Sequence, residues 1–262
     1  MKHYRLFGTV MLIGALALMP VSAYSDGLGL DVSPAKLELS MAPGSTYNVP
    51  VTVHNSTGIA THVQAAMVDF GVARNGDYEF AKAGARNDSL MRWASINPRE
   101  FDLPAETTQQ IRLSLDVPPG SLNGEYAGIV FFQTRPVRRA GAVAFSARVA
   151  TKIYMTIPGT VKIDGAIAKM SASSSAVGEL YRVLFKNLGN AHVYLRGQLE
   201  VQKDGAAVDR ITLPSEELVE RGGERLIEVT GKHLPPGKYQ AISTIDYGGK
   251  SMTGGEINFQ AQ

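Results

Sequence analysis

Six basic residues and no acidic one lie between Tyr126 and Ile163: Arg135, Arg138, Arg139, Arg148, Lys152 and Lys162. In a chain whose charges otherwise nearly balance, this is a local basic strip. The same stretch reads as two long strands, 126–133 and 143–157, around a loop centred on 134–142. On the second strand Val143, Phe145, Ala147, Val149, Ile153, Met155 and Ile157 are mostly apolar. The alternate positions Ala144, Ser146, Arg148, Lys152 and Thr156 are mostly small or polar. That period of two gives a strand one face that can be buried. A strand that pairs with a partner fits the pattern, and so does an ordinary edge strand on its own core with arginines that discourage aggregation.

Other chemistry is hard to find. His54, His62, His192 and His233 have no two-on-a-face metal spacing, and none has a paired carboxylate near it in sequence. They read as surface or turn histidines. The chain has no Gly-x-Ser-x-Gly elbow, phosphate-cradling glycine loop or dinucleotide fingerprint. The expectation is a protein that is not an enzyme and uses no cofactor or metal. Asn55-Ser56-Thr57 and Asn87-Asp88-Ser89 match the glycosylation acceptor, but each falls where a turn or a cap explains Asn and Ser without sugar. With no cysteine, disulfides, thiolate sites, a cysteine nucleophile and a lipoprotein anchor are all excluded.

The elements that must position the strip are strands. Short apolar and β-branched stretches such as Tyr47-Asn48-Val49-Pro50-Val51-Thr52-Val53 and Gln110-Ile111-Arg112-Leu113-Ser114-Leu115 alternate with turns at Pro43-Gly44, Asn75-Gly76, Pro119-Gly120, Asp204-Gly205 and Pro236-Gly237. Only 88–94 and 215–220 read as brief helical turns. At the start, Lys2 and Arg5 precede an apolar run over 6–19 and the small residues Val21-Ser22-Ala23, the pattern of a cleaved signal peptide spanning 1–23. No second apolar run is long enough to cross a membrane as a helix. Lys and Arg number 26 against 24 acids, and without Lys2 and Arg5 the balance is 24 to 24. Such a charge gives no reason to bind nucleic acid.

An internal repeat sets the domain count. Val53-His54-Asn55-Ser56-Thr57-Gly58 is answered by Phe185-Lys186-Asn187-Leu188-Gly189-Asn190, and Val117-Pro118-Pro119-Gly120 leading to Tyr126 is answered by Leu234-Pro235-Pro236-Gly237 leading to Tyr239. A Tyr opening the penultimate strand after a Pro-Gly turn is where immunoglobulin-like sandwiches place a hydroxyl bonded to nearby backbone. The expectation is all-β: two tandem immunoglobulin-like β-sandwich domains, 24–158 and 159–262, parting near Pro158-Gly159-Thr160. Trp93 is expected in the first core beside Ile96 and Phe101, because a lone Trp in a sandwich usually buries most of its area.

Two exported immunoglobulin-like domains without cysteine, with Thr151-Lys152-Ile153-Tyr154 on the long last strand of the first, resemble the PapD-like periplasmic pilus-assembly chaperones. The resemblance covers nearly the whole chain after the signal. It implies a periplasmic chaperone that caps a pilin-like or surface subunit by strand addition, with an outer-membrane usher as a further partner. Val143, Phe145, Ala147 and Val149 would then face the subunit, Arg148 would lie in the basic strip, and Lys152 would anchor the subunit's C-terminal carboxylate. A register shifted by two would put Tyr154 at the anchor. The family's second anchor is an Arg in the first strand, whereas Leu30-Asp31-Val32-Ser33-Pro34-Ala35-Lys36 offers only Lys36, a point charge without the guanidinium fork. The opening 32–44 also resembles a broader group of exported immunoglobulin-like binding modules, a structural or adhesive alternative.

Overall fold

The computed structural model describes residues 29–120, 122–136 and 146–262. Ten strands come first: β1 (Leu30–Ser33), β2 (Lys36–Ser40), β3 (Thr46–Asn55), β4 (Thr61–Val72), β5 (Tyr78–Lys82), β6 (Ala94–Asn97), β7 (Glu100–Leu103), β8 (Thr108–Asp116), β9 (Glu125–Thr134) and β10 (Arg148–Thr156). They form two sheets, ordered β1-β3-β8-β6 and β2-β10-β9-β4-β5, with β7 pairing β4. Eight follow: β11 (Gly165–Ser175), β12 (Gly178–Asn187), β13 (Val193–Lys203), β14 (Ala206–Thr212), β15 (Glu217–Val219), β16 (Glu224–Thr230), β17 (Gly237–Asp246) and β18 (Thr253–Ala261). Their sheets are β11-β12-β16 and β14-β13-β17-β18, with β15 pairing β13.

Each pair of sheets closes on its own apolar core. In the first, Val51 and Val53 of β3, Ile111, Leu113 and Leu115 of β8, and Ile153 and Met155 of β10 are buried. In the second, Tyr181, Val183 and Phe185 of β12 meet Leu199 and Val201 of β13 and Ala241 and Ile245 of β17. Inward residues recur at every second position because successive Cβ atoms point to opposite faces. Trp93 lies at the margin of the first core, half-buried, with its ring 4.6 Å from that of Tyr126; Ile96 is buried and Phe101 partly so.

The repeat has a physical basis. Asn55 and Asn187 are both fully buried. The Asn55 Nδ2 donates to the carbonyls of Ile59, Leu103 and Pro104, and its Oδ1 accepts from the Thr57 backbone N–H. The Asn187 Nδ2 donates to the carbonyls of Ala191, Val219 and Glu220, and its Oδ1 accepts from the Gly189 N–H. One side chain thus satisfies a whole chain reversal, which the interior requires of buried carbonyls. A buried Asn55 is no glycan acceptor. The two tyrosines differ. The Tyr239 hydroxyl donates to the Pro235 carbonyl at 2.9 Å, while Tyr126 uses its ring, packed on Trp93.

Two helical expectations part ways. Leu90–Arg92 is a 3-10 turn capped by Ser89, but Glu217–Val219 within 215–220 is a strand, because Val219, Leu218 and Glu217 pair with Val193, Tyr194 and Leu195. Pairing to a long neighbour overrides the local preference of a six-residue stretch.

Candidate functional site

The first strand changes sheet. β1 pairs antiparallel with β3, the chain turns through Ser33-Pro34-Ala35, and β2 then pairs parallel with β10, matching Lys36 to Lys152 and Ser40 to Thr156. Proline suits the crossing because it lacks the N–H a continuing ladder would need. Thr151 Oγ1 donates to the Pro34 carbonyl at 2.9 Å, and the Lys152 N–H donates to the Ala35 carbonyl at 2.9 Å.

The other flank of β10 is fully occupied: β9 pairs with it from Arg148 to Thr156, and the Thr134 N–H donates to the Ala147 carbonyl. Odd-numbered residues of β10 therefore direct their backbone groups to β9. Even-numbered residues direct theirs to the β2 side, as Lys152 and Thr156 do in bonding Ala35 and Met41. Since β2 begins only at Lys36, opposite Lys152, the N–H and C=O groups of Arg148 and Ala150 face an edge that no described strand covers.

Side chains divide by the same alternation. Ala147 is buried in the first core and Val149 packs against that core, so neither faces outward. This corrects the expected orientation: their apolar side chains fill this chain's own sandwich. Val143 and Phe145, with Arg138 and Arg139, lie outside the described residues. The exposed face carries Arg148, whose guanidinium is 4.6 Å from the Phe131 ring centre, and Lys152.

Lys36 and Lys152, far apart in sequence, stand side by side as register partners. The Lys36 ammonium lies 2.7 Å from Glu38 and 5.2 Å from the ring centre of Tyr194 in the second sandwich. That hydrogen bond to Glu38 raises the Lys36 pKa and lowers that of Glu38. Lys152 instead donates to the Tyr78 hydroxyl, with its ammonium 4.6 Å from the Tyr78 ring centre and 5.8 Å from that of Phe70. No described carboxylate pairs with it. Aromatic rings here form a continuous group: Tyr78 lies 5.9 Å from Phe70 and 6.2 Å from Phe80, and Phe80 5.2 Å from Phe131.

Tyr154, the alternative anchor, is buried, its ring stacked 4.0 Å from His192 and 5.9 Å from Phe70. Burial pushes its phenol pKa up. Around it the two sandwiches meet. Both oxygens of the buried Glu125 accept from His192, at 2.7 Å from Nδ1 and 3.0 Å from the backbone N–H, and Arg221 donates to the Glu125 carbonyl. Glu220 approaches Arg86 at 3.6 Å, and burial pushes its carboxyl up to about 7.

Sequence reasoning overlooked Tyr78, Tyr194 and these carboxylates. His62 lies 2.7 Å from Asp102 and His192 2.7 Å from Glu125, both joined only by folding. The one available signal for Tyr78 was the Asn75-Gly76-Asp77 turn, which starts a hairpin and so returns a strand to its neighbour. Among the described residues no three His, Asp or Glu side chains cluster as a metal site, and no helix is long and apolar enough to cross a membrane.

No protein-family model matches the sequence, and no curated protein matches it. Solved structures that resemble it include the class 5 fimbriae chaperone CfaA, 11% identical over 89% of this chain and 99% of that one, with a TM-score of 0.49. The E. coli chaperone DraB is 15% identical over 89% and 98%, with a TM-score of 0.45. The CsuC–CsuE chaperone–tip adhesion subunit pre-assembly complex of Acinetobacter baumannii Csu pili is 11% identical over 87% and 97%, with a TM-score of 0.47.

Proposed function

We propose that this is an exported, periplasmic chaperone-like protein, of two units spanning 24–158 and 159–262, that holds the C-terminal strand of a pilin-like or surface subunit by strand addition to β10. The observation that carries the reading is where the open edge ends. β2 runs parallel to β10 from Lys36 onward, and no described strand pairs with the groups of Arg148 and Ala150 on that side. A partner strand laid parallel along that edge continues the line of β2 and brings its carboxyl terminus to Lys36 and Lys152. Laid antiparallel, it would bring an ammonium to the same two lysines, which like-charge repulsion disfavours. Backbone pairing supplies affinity, as in other strand additions, and the lysines select direction.

The partner's side chains need not displace Ala147 or Val149, because the added strand lies beside β10 in the sheet. Its outward side chains would border Arg148 and the aromatic group of Phe131, Phe80 and Tyr78. The test uses a fluorophore-labelled alternating Val-Ser peptide as free acid and as C-terminal amide. The acid should bind about tenfold more tightly, the size expected of a hydrogen bond to a charged group. Equal binding of the two forms, or no binding of either, would refute the reading.

A further inference from the structure

Arginine holds a carboxylate with two parallel N–H donors set in one rigid plane. This chain has lysines, and Lys36 is already engaged by Glu38 at 2.7 Å. Lys152 is the cation of the pair without a described acid partner, and its described hydrogen bond goes to the Tyr78 hydroxyl. In that bond the ammonium donates and the phenol oxygen accepts. The phenol proton therefore remains available, and the ammonium keeps two further N–H groups. Tyr78 is exposed, at the start of β5, so the hydroxyl is reachable from solvent. Its ring packs against those of Phe70 and Phe80.

We infer that Lys152 and Tyr78 act together as a two-pronged donor for a partner's terminal carboxylate, the Nζ–H and the Oη–H taking one carboxylate oxygen each. Tyr78 is then a binding residue that sets specificity for a carboxylate, and the inference rests on the strand-addition reading above. The tyrosine contributes twice. Its oxygen fixes the end of a flexible four-carbon side chain before the partner arrives, removing part of the ordering cost of binding. Its proton supplies the second prong that lysine alone lacks.

The experiment measures binding of the alternating Val-Ser peptide, as acid and as amide, to the full chain and to variants. Tyr78→Phe keeps the ring and removes only the hydroxyl, so the preference for acid over amide should fall about fivefold while amide binding stays unchanged. Adding Lys152→Arg to Tyr78→Phe should restore the preference, because guanidinium carries both prongs itself. Thermal melts check that each variant is folded, and the partial exposure of both side chains means they should be. A Tyr78→Phe variant that keeps the full preference overturns the inference while leaving the strand-addition reading intact. So does a preference that falls in Tyr78→Phe and is not restored by arginine, since the hydroxyl would then act only by positioning the Lys152 ammonium and not as the second prong. An unmodified chain that cannot tell acid from amide refutes the strand-addition reading itself.

Discussion

β10 and β18 are both the last strands of their sandwiches and each has a stretch of flank with no described ladder partner, yet they present different chemistry. β18 has β17 as its only described ladder partner, although β11 packs beside it and the Ile167 N–H donates to Thr253 Oγ1, and its outward positions Gly254, Glu256, Asn258 and Gln260 are small, acidic or amide. β10 is covered by β2 over its second half, and its open half runs into Lys152 and Lys36. An open edge alone is therefore not a site. What separates the two is a defined end to the edge, furnished with cations and aromatic rings; under the proposed strand addition, that end would give a bound strand both a direction and a stopping point.

The largest expected effect tests whether the two sandwiches share one architecture. Asn187→Ala strands three buried carbonyls and Asn55→Ala one buried and two partly buried ones, and each should destabilise its own domain by about 3 kcal/mol or more. Chemical denaturation of the full chain should show a different transition shifted in each variant. A large effect in one and none in the other would break the equivalence of the repeat.

Next comes binding. Lys152→Ala should weaken the free-acid peptide by about 1.5–3 kcal/mol, whereas Glu256→Ala on β18 should leave it unchanged; fluorescence anisotropy measures both. Raising salt should narrow the difference, because exposed charges are screened. Ala150→Pro removes an N–H that bonds nothing within the described chain, so peptide binding should drop about fivefold with little change in melting temperature. Loss of fold instead would show that this N–H is engaged inside the protein.

Smaller effects concern the tyrosine pair and the junction. Tyr239→Phe should cost about 1 kcal/mol and Tyr126→Phe much less, since the Tyr239 hydroxyl has the Pro235 carbonyl as acceptor. Glu220 gives the junction a pH dependence. Its carboxyl is raised from the ordinary 4.5 to about 7 by burial, so the folded, docked form binds the proton more tightly than the unfolded chain. Its contribution to stability is full below about 4.5 and is lost as pH rises through about 7. Melting temperature followed from pH 5 to 8 should fall more steeply in the native chain than in Glu220→Gln.

Much of the architecture was legible because it rests on local signals. Alternation of Val49, Val51 and Val53, turns at Pro119-Gly120 and Pro236-Gly237, and the repeated Asn bend each act over a few residues, and backbone geometry enforces their period. Charge spacing likewise exposed Lys152 and Arg148, and the first strand offered Lys36. Local signals failed at Glu217–Val219, where pairing with β13 decided the conformation. They also failed for Ala147 and Val149: a period of two shows that one face is apolar, not whether that face meets a partner or the chain's own core.

The sequence alone determined strands, turns, a twice-used Asn bend and a basic stretch, because each depends on neighbours within a few positions. Only the tertiary structure decided that β2 crosses sheets to stop at Lys36 opposite Lys152, that Tyr78 reaches Lys152 and that His192 meets Glu125. Those contacts join residues from 67 to more than a hundred positions apart. The register that creates them is selected by burying two whole apolar faces at once, a quantity no short window of sequence contains.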